Sequence, residues 1–177
     1  GGIMGIMADK CAVQMRMLNR SKGPAVYSPR AQEDRAMYSV EMKHYLENLP
    51  NLTLKQAHIT GLLVDDEGKA AGVMTEGKAI YRARAVVICS GTYMEARIIR
   101  GEVIVESGPD GLPRSVGLSS SLNSLGTPLL RFKTVTPVRV NSNSVDFSQM
   151  TRQDGEDYIP PFSYRNEMEG KLPAPSE

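Results

Sequence analysis

The chain has 177 residues, 41% of them hydrophobic and 23% charged, and its 21 Lys and Arg nearly cancel its 20 Asp and Glu. This is room for about one ordinary domain, and the composition excludes a disordered acidic or basic chain, a collagen-like repeat and a disulfide scaffold. A net charge of +1 provides no global field for nucleic acid, so any such contact depends on local patches. The two cysteines, Cys11 and Cys89, suit buried thiols in a reducing compartment better than a disulfide. The 10 Met and the absence of Trp point to a core of aliphatic and thioether groups. No apolar run nears the ~20 residues that span a bilayer, and no basic leader opens the chain. The chain lacks an initiator Met and ends in a Pro-bearing tail at 171–177. It is therefore expected to be an internal piece of a longer protein.

Ile3, Met7, Cys11 and Met15 recur at every fourth position, which is a helical stripe. From Val13 the pattern alternates and predicts a switch to strand. Residues 19–29 contain Gly23, Pro24 and Pro29 and read as a loop, with Lys22-Gly23-Pro24 as a basic turn. Residues 30–48 carry the clearest helical period. Ala36, Met37, Val40, Tyr45 and Leu46 fall on one face, and Asp34, Glu41, Lys43 and Glu47 on the other. Pro29 stands just before this helix, and Pro50 stops it.

Residues 52–64 read as a strand, Asp65-Asp66-Glu67-Gly68-Lys69 as a hairpin turn and 71–75 as a second strand. Glu76-Gly77-Lys78 is a second turn and 79–82 a third strand, which makes a meander. Ala85-Val86-Val87-Ile88-Cys89 does not alternate. Such a run predicts a strand buried on both faces of a parallel sheet, with Cys89 as an inert core thiol. Residues 108–117 read as a loop. A helix over 116–125 has Leu118, Leu122 and Leu125 on one face, with Ser115 or Ser119 as its cap. Residues 129–139 read as extended and 141–177 as mostly loop.

Metal and hydrolase chemistry find little support. His44 and His58 lie on different elements without partners at ligand spacing, and read as a surface His and a strand His. Ser119-Ser120-Ser121 has no nucleophile elbow around it, and neither a P-loop nor a G-x-G-x-x-G is present. Two features stand above this background. Gly91-Thr92 follows the predicted buried strand, where backbone comes close to a ligand at the carboxyl edge of a sheet; an ordinary strand exit reads the same way. Two polar loops, one around Lys22 and one at 108–115, each lead into a predicted helix whose amino terminus suits a phosphate; plain capping is the alternative.

Several separated strings also match one family in a single register. They are Lys22-Gly23-Pro24-Ala25-Val26 with Arg30-Ala31-Gln32, Val86-Val87-Ile88-Cys89-Ser90-Gly91-Thr92-Tyr93, Gly108-Pro109 to Gly117-Leu118-Ser119, Arg131-Phe132-Lys133-Thr134, Asp146-Phe147-Ser148 and Pro161-Phe162-Ser163. The chain resembles the FAD-dependent subunit of the tRNA uridine 5-carboxymethylaminomethyl modification enzyme, the glucose-inhibited division protein A family. The resemblance implies an α/β fold: part of a glutathione-reductase-like FAD/NAD(P)-binding domain over 1–128, with a β-meander, and the start of an inserted domain over 129–177. It implies that the dinucleotide fingerprint and the catalytic cysteine lie outside this segment. It places Ile59 where the family presents main chain to the adenine end of the flavin. It places Ser115 where the family has a hydroxyl near the flavin, with Gly91 and Thr92 close by. Arg30, Lys133 and Thr134 complete the expected cofactor contacts. Val135 stands where the family's motif has Gly.

The same resemblance implies modification of C5 of a wobble uridine with FAD, and with NADH and methylene-tetrahydrofolate as co-substrates. It further implies tRNA and a GTPase subunit as partners, a homodimer, and a cytoplasmic location. A segment of this kind is expected to be inactive by itself. Another flavoprotein of the same superfamily, or a non-catalytic RNA-docking or dimerisation module, is the alternative.

Overall fold

The computed structural model describes residues 2–137, 140–171 and 173. Helix α1, Ile3–Cys11, runs directly into strand β1, Ala12–Leu18. Strand β2 is Ser28–Glu33 and helix α2 is Arg35–Glu47. Strands β3, Ile59–Val64, β4, Ala70–Thr75, and β5, Ile80–Arg82, follow. Then come β6, Ile98–Arg100, β7, Val103–Val105, helix α3, Leu118–Ser124, and helix α4, Tyr164–Met168. The content is mixed α/β, as expected. Among the described residues no helix is long and apolar enough to cross a membrane.

The chain divides into two compact units, Gly1–Leu54 with Val138–Glu177, and Lys55–Pro137. In the first unit β1 and β2 form an antiparallel hairpin with Met15 opposite Ala31 and Arg16 opposite Arg30. The face carrying Met15 and Ala31 packs against Ile159, and Ala12 and Met17 complete this small core. The free edge of β1 is covered from far along the chain. Glu156 N–H donates to Met15 O at 2.9 Å, and Met17 N–H donates to Glu156 Oε1 at 3.1 Å. Arg20 is paired with the same carboxylate.

Asp9 makes the second tie between the ends of this unit. Its carboxylate is 6% exposed and accepts from Phe162 N–H at 2.7 Å, Ser163 N–H at 3.1 Å and Asn166 Nδ2 at 2.8 Å. Three donors on one buried carboxylate satisfy a group that would otherwise be costly to bury. These ties put residues 153–166 in the same unit as α1 and β1. The compact units therefore divide at 54/55 and 137/138, whereas the expected boundary at 128/129 concerns the domains of a longer protein.

Two sequence expectations are corrected in this unit. The helix predicted from Arg30 begins at Arg35, because Asp34 caps it. Its Oδ1 accepts from Ala36 N–H and Met37 N–H, both at 2.9 Å. Arg30 itself lies in β2, where the hairpin with β1 outweighs the helical period. Helix α2 packs against α1 but buries none of its residues, and Val40 is 66% exposed.

In the second unit β3, β4 and β5 form the expected antiparallel meander. The first turn is held by Asp65, whose Oδ1 accepts from Glu67 N–H at 3.0 Å and Lys69 N–H at 2.8 Å. Gly72 has φ 148, and a Cβ there would lie 2.2 Å from Tyr81 O on the neighbouring strand. Only glycine fits such an approach. Helix α3 lies on β3 with Leu118 and Leu122 buried, and Ser121 Oγ accepts from Leu62 N–H at 3.0 Å. β6 and β7 make a short hairpin.

The strand predicted at 52–64 starts only at Ile59. The buried parallel strand predicted at 85–89 is not there: those residues have no strand pairing, and Val87 is 84% exposed. A strand buried on both faces needs a neighbour at each edge and a layer on each side. The described residues supply none of these to 85–89. A parallel bridge occurs further along, between Met94 and Ser115. The run predicted extended at 129–139 is exposed and forms no strand over 129–137, and its last two residues lie outside the described ones. Residues 140–171 are mostly irregular, as expected, apart from short turns and α4. Of the predicted tail at 171–177, only Lys171 and Pro173 are described.

Candidate functional site

A cavity of about 1010 Å³ opens within the unit Lys55–Pro137. Sites for small molecules and cofactors run from ~300 to ~1,000 Å³ and are mostly apolar with a few placed polar groups. The apolar part of this wall comes from Ile59, Leu62, Val73 and the run 86–88, and the polar part includes His58, Ser90 and Ser115.

Two neighbouring segments form part of the wall. The first leads into β3 and carries His58 and Ile59. The second is the loop before α3 and carries Arg114, Ser115 and Val116. Ser115 is held by its main chain. Its N–H donates to Tyr93 O at 2.8 Å, and its O accepts from Glu95 N–H at 2.9 Å. No described residue hydrogen-bonds its hydroxyl, which leaves that group available on the wall.

Glu95 anchors this strip. It sits in the left-handed region at φ 47, a conformation that costs a non-glycine residue of order 1 kcal/mol or more and needs surrounding contacts to persist. Its Oε1 accepts from Gly117 N–H at 3.4 Å, and its main-chain O accepts from Arg131 Nη1 at 3.1 Å. Arg114 lies 4.0 Å from Glu95 Oε2 and 2.5 Å from Glu106 Oε2.

His58 bridges the two wall segments. Its Nε2 accepts from Val116 N–H at 3.2 Å, and its Nδ1 lies 3.5 Å from Glu76 Oε2. An imidazole accepting at Nε2 carries its proton on Nδ1, facing that carboxylate.

The expected contacts divide as follows. Ile59 and Ser115 both line the cavity. Gly91 and Thr92 follow the wall residue Ser90 without lining the cavity themselves, and Gly91 has φ 55 in the turn closed by Tyr93 N–H on Ser90 O at 3.3 Å. Lys133 and Thr134 lie in the same unit on the exposed 129–137 run, away from the cavity wall. Arg30 lies in the other unit, on β2.

Neither helix start matches the phosphate reading. At α2 the N–H groups of Ala36 and Met37 are taken by the Asp34 carboxylate, which would also repel an anion. At α3 the cap is Gly117, with φ 95 and no side-chain cap, so neither Ser115 nor Ser119 caps it. The N–H groups just before that helix go to His58 and Glu95.

Cys89 is exposed on the cavity wall, which corrects its reading as a core thiol, and Cys11 is buried; both are free. Sequence reasoning missed His58 and Glu95. Nothing in composition or period marks a glutamate for a positive φ. His58 has no metal-ligand spacing in the sequence, and its partner is a main-chain N–H far along the chain.

The apolar wall would take the face of a planar ring. The main chain of Ile59 and the Ser115 hydroxyl would supply directional contacts. These residues fit an aromatic nucleotide cofactor.

Comparison with known proteins gives a consistent picture. The family described as Glucose inhibited division protein A matches residues 1–173. The tRNA uridine 5-carboxymethylaminomethyl modification enzyme MnmG of Caldicellulosiruptor saccharolyticus is 50% identical over 167 residues, covering 94% of this chain and 26% of that protein. The protein of the same name from Clostridium kluyveri is 48% identical over 167 residues, covering 94% and 27%. The crystal structure of Aquifex aeolicus GidA superposes with a TM-score of 0.83 at 40% identity, covering 93% of this chain and 27% of that one. The chain thus spans about a quarter of the length of the relatives it matches.

Proposed function

Because this chain belongs to the glucose-inhibited division protein A family, we propose that its parent protein is a flavoenzyme that modifies C5 of the wobble uridine in tRNA. In this reading FAD, NADH and methylene-tetrahydrofolate are used, and the modifying complex includes a GTPase subunit. A homodimer and a cytoplasmic location belong to the same reading. Residues 1–128 would form part of a glutathione-reductase-like FAD-binding domain, and 129–177 the start of an inserted domain.

The observation that carries this reading is the meeting of Ile59 and Ser115 on one cavity wall. They come from distant parts of the sequence, and the family resemblance implies a cofactor contact at each. Flavin, when bound, would supply the redox chemistry, and the protein supplies orientation and electrostatics. Ile59 would offer main-chain N–H and C=O to the ring of the adenine end. Ser115 would offer its hydroxyl, held in place by the Tyr93 and Glu95 bonds. Gly91 and Thr92, one step behind Ser90, would let backbone approach the ligand. Lys22, Arg30 and Lys133 would contact phosphates of flavin, of the nicotinamide cofactor or of RNA, where charge gives affinity without sequence information, and Thr134 would stand beside Lys133 as a further cofactor contact. The segment by itself is expected neither to retain FAD nor to modify tRNA.

The test is Ser115→Ala in the full-length protein. One lost hydrogen bond is worth about 1 kcal/mol, so FAD is expected to bind roughly fivefold more weakly by fluorescence titration. Unchanged FAD affinity together with unchanged tRNA modification would remove Ser115 from the site.

A further inference from the structure

We propose that His58 is a positioning residue that latches the two wall segments of the cavity together, and thereby sets how firmly the cavity holds a planar aromatic ligand. The latch stands on geometry alone, and its effect on FAD rests on the reading given above. His58 directly precedes Ile59, and Val116 directly follows Ser115. The bond from Val116 N–H to His58 Nε2, at 3.2 Å, therefore joins the two expected contact positions from immediately beside each of them. The next bond between these segments, Leu62 N–H to Ser121 Oγ at 3.0 Å, lies beyond the start of α3. Gly117 packs on the main chain of Thr60 just beyond, and beside Ser115 the imidazole is the side chain that hydrogen-bonds across among the described residues.

Glu76 makes the latch directional. Its N–H donates to His58 O at 2.8 Å, and its Oε2 lies 3.5 Å from His58 Nδ1. The carboxylate favours the tautomer with the proton on Nδ1, which leaves Nε2 as an acceptor for Val116. A second group that sets the tautomer of a working imidazole is a recurrent device for fixing ring orientation. A histidine that served only to satisfy Val116 N–H would have no bearing on ligand affinity, and that difference can be measured.

The experiment uses the full-length protein with His58→Leu, His58→Gln and Glu76→Gln. Leu keeps the bulk without an acceptor, and Gln restores an acceptor at a similar reach. Two quantities are read: hydrogen exchange of the 114–117 stretch by mass spectrometry without ligand, and the dissociation constant for added FAD. Loss of about 1 kcal/mol predicts roughly fivefold faster exchange and roughly fivefold weaker FAD binding in His58→Leu, with both restored to within about twofold in His58→Gln. Unchanged exchange in His58→Leu overturns the latch. Faster exchange with unchanged FAD affinity overturns the positioning role, and so does a Gln variant that behaves like Leu. If His58→Leu fails to fold, Glu76→Gln decides: about twofold faster exchange supports the latch and no change overturns it. A wild-type protein that binds no FAD overturns the flavin reading, and exchange at 114–117 still decides the latch.

Discussion

At the scale of single residues the two cysteines separate by environment. Burial pushes the Cys11 thiol above its ordinary range, and Glu33 and Glu41 raise it further, while Lys10 opposes. A thiol reacts as its thiolate, so a raised, buried group is slow. Iodoacetamide at neutral pH is expected to label Cys89 at least tenfold faster than Cys11 in the folded 177-residue chain, read by mass spectrometry, with the difference lost in denaturant. Equal native rates would contradict the burial of Cys11. Gly72 is a second case. A Cβ there meets Tyr81 O at 2.2 Å while φ is 148, so Gly72→Ala must separate β4 from β5 or strain the backbone. A cost of about 3 kcal/mol is expected, measured as a lowered urea midpoint. The chain shows glycine at this position but not the approach of Tyr81, which depends on the register of two strands.

At the scale of elements the contest over residues 28–34 is instructive. The helical period of 30–48 is real from Arg35 onward, and Asp34 is a legible cap. The residues before it obey a longer-range demand, because β1 needs a partner along one edge and Ser28–Glu33 provides it. The other edge depends on Glu156. Its carboxyl is held below the ordinary carboxylate range, first by the Arg20 hydrogen bond and then by Met17 N–H, against some desolvation. Arg20 is raised by the same pair. A depressed folded value means that the stabilisation is present above the ordinary carboxylate range and is lost as pH falls through the depressed one. Glu156→Gln should therefore flatten the acid limb. Between pH 7 and pH 3 its urea midpoint should fall less than that of the unsubstituted protein. Identical falls would mean that this pair carries none of the acid sensitivity.

At the scale of the whole molecule the run 85–89 is the largest departure. Five apolar residues with no alternation predict two-sided burial, yet Val87 is 84% exposed and Ile88 41%. The chain covers about a quarter of its relatives, and in the proposed FAD-binding domain this run would lie inside a sheet. Val87→Asp in the full-length protein is then expected to cost at least 2 kcal/mol, because an unpaired charge would be buried. An unchanged melting temperature would show that the run stays bare. The sequence by itself determined the elements that depend on neighbours a few residues away: the α1 to β1 switch, the Asp65 turn, the meander and the apolar face of α3. It also pointed to Ser115 through a family motif, and to Ile59 through its place in the register of the same resemblance. Local hydrogen bonds and side-chain period carry that information, so it can be read along the chain. Only the tertiary structure decided that residues 153–166 return to β1 and Asp9, that Arg30 lies in a strand, and that His58 reaches Val116. Each of these rests on a contact between residues far apart in sequence, whose partner no local pattern names.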